Sequence, residues 1–597
     1  MKKKLLLVLS TLSIFALVGC GNKVSPSSSD ISSDISTEEG SEDVGSDYDY
    51  NESITVEDPT EIDVEENTGE FTLTTEDGTV SNEGNVYTIS AAGTYVAKGK
   101  LEGQIVINAT KDDTVVLELN GATIINDTDS PIKAVKCDTL EISAKKNSEN
   151  SVIDNRVAKT VDDDSVGEGA INGKCDLKLK GAGTLVVEGK YNNGVHTTKD
   201  LTIQKETLKV TGYNNAIKAK DGFTLTSGEV QLYAKTGNGI KTDNTDVSSK
   251  GKQRGIIAID GGTLYVDSLH DALDAAYNVV INEADAEAPT KVSILTGTKS
   301  SSYSKSTFVA DSEKGLKAAN EININKGTIV IDASDDAIHA NYGATLENEE
   351  TGLGNININD GLIRINSGDD GVHADNTLTI NGGKVVVASA VEGFEGNYIV
   401  INGGYSYIYG SDDGVNASKK TFTTCSFTMT GGYLDVAVRN GDTDGIDSNG
   451  DFTLSGGTIV TRGSPGTRTS RMSTGLDVDG TCSMTGGTLI AFNGLERKPT
   501  TGSGIMYAGT SNANSSQGGG PGGPGGPGWA VEATTYTFNA GNYTLTGNGL
   551  DISFTNDYIY ASFMIYSADL VSNGTYTLSL NGSSLLSWTQ SSSSVTI

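Results

Sequence analysis

The chain is poor in histidine, cysteine, proline and basic residues. Its 597 residues include 4 His, 5 Cys and 9 Pro, and 43 Lys and Arg stand against 77 Asp and Glu, so the formal net charge is −34. Nucleic acid is not an expected partner, because affinity for phosphate requires a basic face. A zinc–cysteine site is not expected without CxxC spacing, and the histidines are too sparse for a dedicated transition-metal site.

Long apolar runs are also missing after the first twenty residues, which read MKKKLLLVLSTLSIFALVGC. A lysine-rich start followed by a short apolar core is typical of an export signal and too short to span a bilayer. The last four letters fit a bacterial lipobox, so we expect Cys20 to be lipidated. The predicted location is extracellular, with the membrane reached through the lipid anchor only. An ordinary secretory signal is the alternative.

Composition divides the rest of the chain into four segments. Residues 21–70 are rich in serine and acid, which predicts a disordered tether after the signal at 1–20. Residues 71–514 carry repeats, and residues 515–528 form a Gly/Pro-rich linker. Residues 529–597 have strand-like runs that are spaced differently from those of the repeats and are richer in Tyr and Phe. A C-terminal β-strand cap is expected there, and a second binding module is the alternative.

The repeat is clearest in SGDDGVHADNTLTINGGKVVV, residues 367–387, which other segments echo at spacings as short as 21 to 23 residues. Each copy has two runs that alternate apolar and polar residues, separated by Gly or Gly-Gly, which predicts two short strands around a turn. Helical periodicity is almost absent. Fixed apolar positions in units of this length predict an all-β fold, a right-handed parallel β-helix (solenoid).

Four cysteines remain after the signal: Cys137, Cys175, Cys425 and Cys482. Each lies just before a strand-like run, which suggests one inward-facing position of the repeat. Buried free thiols are the expectation. A bridge between the first two is the alternative, provided that they lie in neighbouring units.

A small residue followed by an apolar one, such as Ala272-Leu273, recurs in each repeat. In most of the later repeats an acid stands before or after this pair, and in "DALD", "EGFE" and "DGID" acids stand on both sides. Stacked units place equivalent side chains about 4.8 Å apart, so ionised carboxylates repel by roughly 3 kcal/mol per close pair. Calcium takes oxygen ligands at about 2.3 to 2.6 Å and fits between them. The predicted metal ligands are Asp271, Asp274, Asp335, Asp336, Asp369, Asp370, Glu392, Glu395, Asp412, Asp413, Asp444, Asp447 and Asp477. The alternative is that these residues only form turns.

The position after the pair changes character along the chain, from basic in the early repeats to acidic in the later ones. An extended anionic chain could meet the lysines directly and the acidic repeats through calcium. The predicted ligand-binding residues are Lys218, Lys241, Lys317, His339, His373 and Asn416.

The "DDGVHA", "DDAIHA" and "DDGVN" turns and the "INGG" and "MTGG" corners resemble those of exported bacterial carbohydrate-binding proteins with a calcium-bearing right-handed β-helix, themselves similar to family-nine pectate lyases. The resemblance covers most of residues 100–510. It implies binding of plant-type polysaccharide, either cellulose or acidic pectin-like chains, without a need for catalysis. We expect the chain to be a monomer.

Two other functions remain open. A calcium-dependent pectate lyase would use Lys317 as the base that removes the C5 proton of a uronic acid, with Asp271 and Asp274 as calcium ligands. A non-carbohydrate adhesin or structural stalk is the third possibility. We expect a binding protein and not an enzyme.

Overall fold

Alternation of apolar and polar residues produces strands throughout the computed structural model. It describes residues 54–163, 165–297, 312–343, 353–419, 422–439, 441, 443–466, 473–496, 499, 504–509 and 536–597. These residues are all-β and contain no helix. None of their segments is therefore an apolar helix of membrane-spanning length.

The strands are short and are numbered here in chain order. The first third of the described chain contains β1 (Thr72–Thr75), β2 (Val80–Glu83), β3 (Val86–Ile89), β4 (Gly93–Glu102), β5 (Gln104–Asn108), β6 (Thr114–Asn126), β7 (Ile132–Lys136), β8 (Thr139–Ala144), β9 (Glu149–Asp154), β10 (Gly169–Gly173), β11 (Asp176–Gly181), β12 (Thr184–Gly189), β13 (Asn193–Thr197), β14 (Asp200–Gly212), β15 (Ile217–Ala219) and β16 (Gly222–Ala234). The middle third contains β17 (Ile240–Lys241), β18 (Ile256–Ile259), β19 (Thr263–Ser268), β20 (Leu273–Ala275), β21 (Asn278–Ile281), β22 (Lys291–Thr296), β23 (Leu316–Ala318), β24 (Glu321–Ile324), β25 (Thr328–Ala333), β26 (Ile338–Ala340), β27 (Asn355–Ile358), β28 (Leu362–Ser367), β29 (Val372–Ile380), β30 (Lys384–Ala390), β31 (Phe394–Ile401) and β32 (Tyr405–Gly410). The last third contains β33 (Val415–Ala417), β34 (Ser426–Met429), β35 (Tyr433–Val438), β36 (Ile446–Ser448), β37 (Asp451–Leu454), β38 (Thr458–Arg462), β39 (Leu476–Val478), β40 (Cys482–Met484), β41 (Thr488–Phe492), β42 (Ile505–Ala508), β43 (Gly541–Gly547), β44 (Leu550–Asn556), β45 (Phe563–Ser567), β46 (Thr575–Leu580), β47 (Ser583–Thr589) and β48 (Ser594–Thr596).

Most strands pair in parallel with the equivalent strand of the preceding and following repeat, so the chain advances in coils of three strand segments. β20, for example, pairs with β17 and β23, while β21 pairs with β18 and β24, and β22 with β19 and β25. We call the three stacks of equivalent segments the site row, the second row and the third row. The second row consists of β8, β11, β18, β21, β24, β27, β34, β37 and β40 together with the first halves of β4, β6, β14 and β16 and the second halves of β29 and β31. The third row consists of β9, β12, β19, β22, β25, β28, β30, β32, β35, β38 and β41 together with the second halves of β4, β6, β14 and β16. The site row consists of β3, β5, β7, β10, β13, β15, β17, β20, β23, β26, β33, β36 and β39 together with the first halves of β29 and β31.

The core lies inside the coils because every second residue of a strand points inward. In the site row, Ile217, Ile240 and Leu273 stack in register and are fully buried. In the second row, Phe427 lies over Phe452 with ring centroids 5.2 Å apart. Stacking of like apolar side chains in every coil removes a continuous apolar column from water and stabilises the fold.

The Gly-Gly corners mark the turn between the second and third rows. Gly404 has a φ of 76°, and a Cβ there would lie 2.7 Å from the Gly382 backbone in the preceding coil. Glycine is therefore required for both its conformation and the close approach of successive coils.

The outer face of the third row is covered by two other parts of the chain. Residues 54–69 lie extended along it: Asn366 Nδ2 donates to the Ile54 carbonyl at 2.7 Å, Tyr265 Oη to Asp58 Oδ1 at 3.0 Å, and Ile62 N to Gln231 Oε1 at 3.1 Å. We call this segment the strap. The tether predicted for residues 21–70 lies outside the described residues up to residue 53, and its last part is ordered because Ile54, Val56 and Ile62 are buried.

The C-terminal strands cover the later coils. β43, β44, β46 and β47 form an antiparallel sheet, and its buried Tyr543 and Phe554 belong to one apolar cluster with Tyr433, Val460 and Ile490 of the third row. β45 pairs antiparallel with β41 and so extends the last coil. The Gly/Pro-rich linker at 515–528 lies outside the described residues, as does Cys20.

All four described cysteines are buried free thiols. Cys137 and Cys175 lie in neighbouring coils with their Sγ atoms 2.8 Å apart.

Candidate functional site

One outward column runs along the site row, because the residue between the two inward positions of each short strand has its side chain on the opposite, outer face of the coil. The pairing places the residues of this column in register from coil to coil. In order they are His196, Lys218, Lys241, Asp274, Lys317, His339, His373, Glu395, Asn416, Asp447 and Asp477.

A second column stands in the turn that enters each strand of the site row. In five of these turns, one carboxylate oxygen of the turn acid accepts the backbone N–H of the equivalent residue in the next coil. Asp336 Oδ1 accepts from Asp370 N at 3.0 Å, Asp370 Oδ1 from Glu392 N at 3.3 Å, and Asp413 Oδ1 from Asp444 N at 2.8 Å. Asp271 and Asp444 do the same for Lys314 N and Thr474 N. A role in the turn therefore explains the contact of one carboxylate oxygen in each of these five acids. It does not explain the contacts of the second oxygen.

Lysines neutralise the acids of the earlier coils. Lys317 Nζ lies 2.9 Å from Asp271 Oδ2, and Lys241 Nζ contacts Asp274 Oδ2. Lys218 Nζ lies 2.8 Å from Asp243 Oδ2. The predicted ligands Asp271 and Asp274 are thus compensated by the chain itself.

The next coils bring six predicted acids and two predicted histidines together. Overlapping groups of three side chains have potential ligand atoms within 4.8 Å of one another: Asp335, Asp336 and Asp369; Asp369, Asp370 and Glu392; Asp336, His339 and His373; Asp370, His373 and Glu395. We call these residues the central cluster. Its members Asp336, Asp370 and Glu395 are 3%, 4% and 1% exposed, so their charges are largely removed from water.

Burial and mutual repulsion set the protonation of the central cluster. Burial and then the Asp336 carboxylate raise the pKa of Asp370 well above its usual range, and burial with the same neighbour raises the pKa of Asp369 to about 6. Burial alone would raise the pKa of Asp336, but Lys314 and His339 outweigh it and hold that pKa well below its usual range. Burial opposes the charge on His339, but Asp336 raises its pKa to about 9.

A third group, the C-terminal cluster, is formed by Asp413, Asn416, Asp444, Asp447 and Asp477, with Asp412 beside it in the same turn. Two of its oxygens, Asn416 Oδ1 and Asp477 Oδ1, are buried and have no hydrogen-bond partner in the part of the chain that the structure describes. Burial, followed by neighbouring carboxylates, raises the pKa of both Asp413 and Asp447 to about 7 and that of Asp444 well above its usual range. Buried acceptor atoms and carboxylates of this kind are stabilised by a cation.

Sequence reasoning missed two residues that contact the central cluster. Lys314 Nζ lies 2.8 Å from Asp335 Oδ1 and 2.6 Å from Asp336 Oδ2. It occupies the turn position before Gly315, where the coils on either side carry Asp271 and Asp336, so the repeat alignment contained the signal. Asp375 Oδ1 lies 3.1 Å from His339 Nε2 and 3.7 Å from His373 Nε2. Strand alternation places Asp375 on the outward face with His373, which was the available signal.

The chain is similar to a known protein family, to one relative and to one solved structure. A family model described as carbohydrate-binding domain-containing protein matches residues 83–352 and 343–466. A protein of the same description from Acetivibrio thermocellus is 29% identical over 294 residues, which cover 48% of this chain and 90% of that protein. A solved structure titled as a polysaccharide lyase-like protein from C. thermocellum, gadolinium derivative, is 29% identical, covers 38% of this chain and 86% of its own, and has a TM-score of 0.34.

Proposed function

The chain belongs to the carbohydrate-binding domain-containing protein family, and from this premise we propose that it binds polysaccharide along the site row through calcium ions held by the central and C-terminal clusters. The ligand classes proposed are cellulose and acidic pectin-like chains. The coils are proposed to form a right-handed parallel β-helix, which the parallel pairing of each strand with its equivalent one coil later supports.

The observation that carries the calcium proposal is a set of carboxylates stacked in register that have no compensating lysine among the described residues. Asn416, Asp447 and Asp477 follow one another in adjacent coils. Carboxylates at coil spacing repel by about 3 kcal/mol per close pair at an effective dielectric near 20. Calcium, which takes six to eight oxygen ligands, would offset this repulsion and use the buried oxygens of Asn416 and Asp477.

Calcium also explains how a chain of net charge −34 could hold an anionic polysaccharide. Bare polyanions are repelled by such a surface, whereas calcium with open coordination positions binds uronic carboxylates and sugar hydroxyls. The lysines of the earlier coils, Lys218, Lys241 and Lys317, continue the same column and would contact anionic groups directly.

Binding is favoured over lyase chemistry by the surroundings of Lys317. A lyase would need Lys317 free to reach the C5 proton, and Asp271 and Asp274 free to hold calcium. Lys317 Nζ instead lies 2.9 Å from Asp271 Oδ2 and 4.0 Å from Asp274 Oδ1, so the base and its calcium ligands are engaged with one another.

The lipobox at Leu17–Cys20 is the basis for proposing display at the cell surface. A lipidated Cys20 would anchor the chain, residues 21–53 would act as the tether, and the coils would act as a monomer.

A pull-down tests the proposal. The chain is incubated with insoluble cellulose and with calcium-gelled pectin, with calcium or with a chelator, and the bound fraction is measured. We expect retention that needs calcium and that the triple variant D413N, D447N, D477N loses at least tenfold. Glu118→Gln is the matched control, since Glu118 pairs with Lys145 outside the clusters. Equal retention in chelator, or by the triple variant, would refute the proposal. Unsaturated product from polygalacturonate would favour the lyase.

A further inference from the structure

Two of the buried cysteines lie side by side in neighbouring coils. Cys137 Sγ and Cys175 Sγ are 2.8 Å apart, and the two residues are 8% and 2% exposed. No other atom fits between two sulfur atoms at this separation. Both residues lie at the corner between the site row and the second row, because Cys137 stands between β7 and β8 and Cys175 between β10 and β11.

The backbone fixes this contact from both sides. Lys174 N donates to the Ala134 carbonyl at 3.0 Å before the corner, and Asp176 N donates to the Asp138 carbonyl at 3.2 Å after it. Neighbouring coils are about 4.8 Å apart, and disulfides join residues whose Cα atoms lie about 4.4 to 6.8 Å apart. The coil spacing therefore suits a disulfide at this corner.

The other two cysteines occupy the same corner but are two coils apart. Cys425 precedes β34, whereas Cys482 begins β40, and β37 pairs with both strands and lies between them. Two coil spacings amount to about 9.6 Å, and Cα atoms more than about 7 Å apart cannot be bridged without movement of the backbone. The chain thus contains one pair of cysteines with the geometry for a disulfide and a second pair without it.

We propose that Cys137 and Cys175 form a disulfide that joins the two coils, with a small-molecule or protein disulfide as the oxidant. One cysteine thiolate attacks the S–S bond of the oxidant, releases one thiol and forms a mixed disulfide. The second thiolate attacks the cysteine sulfur of that mixed disulfide and releases the other thiol. The two cysteines lose two protons and two electrons, and the oxidant is reduced to two thiols.

The bond belongs to the folding of these coils. The contact with Cys137, and then burial, raise the pKa of the Cys175 thiol well above its usual range, so the closed coils contain few thiolates. Oxidation therefore precedes closure, and burial afterwards shields the bond from reductants. The export signal predicted at residues 1–20 would bring the chain to a compartment where disulfides form and persist.

The disulfide would secure the early coils on which the site row is stacked. Cys137 and Cys175 are 38 residues apart, and the closed loop contains β8, β9 and the long connection from β9 to β10. Closure of such a loop stabilises a fold mainly by restricting the unfolded chain. The inference is independent of calcium and carbohydrate, because neither cysteine belongs to the acid columns.

The test is a disulfide map of the full chain. The protein is unfolded in urea with dithiothreitol, refolded with oxidised glutathione, alkylated under denaturing conditions without reductant, and analysed by peptide mass spectrometry. We expect most chains to contain one linked pair of peptides, carrying Cys137 and Cys175, and alkylated Cys425 and Cys482. The link should persist in folded chains treated with an excess of reduced glutathione and be lost in urea with dithiothreitol.

The variant C425S, C482S is the matched control and should form the link to the same extent as the parent. In the variant C175S, Cys137 should remain unpaired with Cys425 and Cys482. The map of the parent chain decides the matter whether or not a variant folds. Alkylation of both Cys137 and Cys175 in most parent chains, or a bond from either to another cysteine of the chain, would overturn the inference.

Discussion

At the scale of single residues, the acids of the site row are neutralised in two ways. Asp271 and Asp274 are paired with lysines, whereas Asp413 and Asp447 have pKa values raised to about 7 by burial and neighbouring acids. Repetition made the acid columns predictable from the sequence, because the coil length fixes which residues stack. It could not show which acids form ion pairs with lysines, because Lys314 and Lys241 pair with acids of the next coil.

Substitution of Asp413 by asparagine, studied with a chelator present, tests whether the pKa of Asp413 is raised. A carboxyl whose folded pKa is raised from about 4 to about 7 contributes stability below pH 4 that is lost as the pH rises to 7, by up to about 4 kcal/mol. We expect the parent to lose stability over this range and Asp413→Asn to lose less, since the amide oxygen can still accept the Asp444 N–H. Urea unfolding at pH 4, 5, 6 and 7 provides the measurement. If the unfolding free energies of the two proteins changed with pH in parallel, the pKa of Asp413 would not be raised in the folded state.

At the scale of elements, strand alternation and glycine corners were enough to predict the all-β repeats and their parallel stacking. The covering of the third row was not predictable in the same way. Residues 54–69 are acidic and polar overall, and only three scattered aliphatic residues, Ile54, Val56 and Ile62, fix the strap against its outer face. Contacts between segments hundreds of residues apart, such as Ile54 with Asn366, leave no local pattern.

The strap should detach when its buried aliphatic side chains become polar. Ile62→Asp places a charge in a buried position beside Gln231 and should release the segment without unfolding the coils. We expect faster proteolysis within residues 54–69, mapped by mass spectrometry, while the coil fragment stays resistant. Glu65→Ser, at an exposed position of the same segment, is the control. Unchanged cleavage would mean that the strap does not depend on this contact.

Arg462 joins the last coils to the C-terminal sheet. It is 1% exposed, pairs with Asp435 in the neighbouring coil and donates to the Thr555 carbonyl of β44. Truncation of one partner leaves the other charge buried, so Arg462→Ala should cost about 3 to 5 kcal/mol in unfolding free energy. The double variant D435L, R462M should recover part of that loss. Urea denaturation of the three proteins is the measurement, and a double variant less stable than Arg462→Ala would contradict the assignment.

At the scale of the whole molecule, the strap and the C-terminal sheet both lie on the third row, and the site row carries columns of stacked acids, lysines and histidines. The sequence indicated this face through its repeats, and the family match supports carbohydrate as the ligand class. The central cluster depends on a combination that no single repeat contains: acids from three coils, two stacked histidines, Lys314 and Asp375. The contacts within this cluster depend on the pairing register between coils, so they could be described only from the structure.

The most direct test of the account is calcium titration into the metal-free full chain by calorimetry, followed by thermal unfolding of the same samples. We predict uptake of more than one calcium ion per chain and a rise in the unfolding temperature, both reduced in the variant D413N, D447N, D477N and unchanged in Glu118→Gln. A chain that takes up no calcium, or that binds it equally well without these three carboxylates, would contradict the claim that stacked acids of the site row hold the ions.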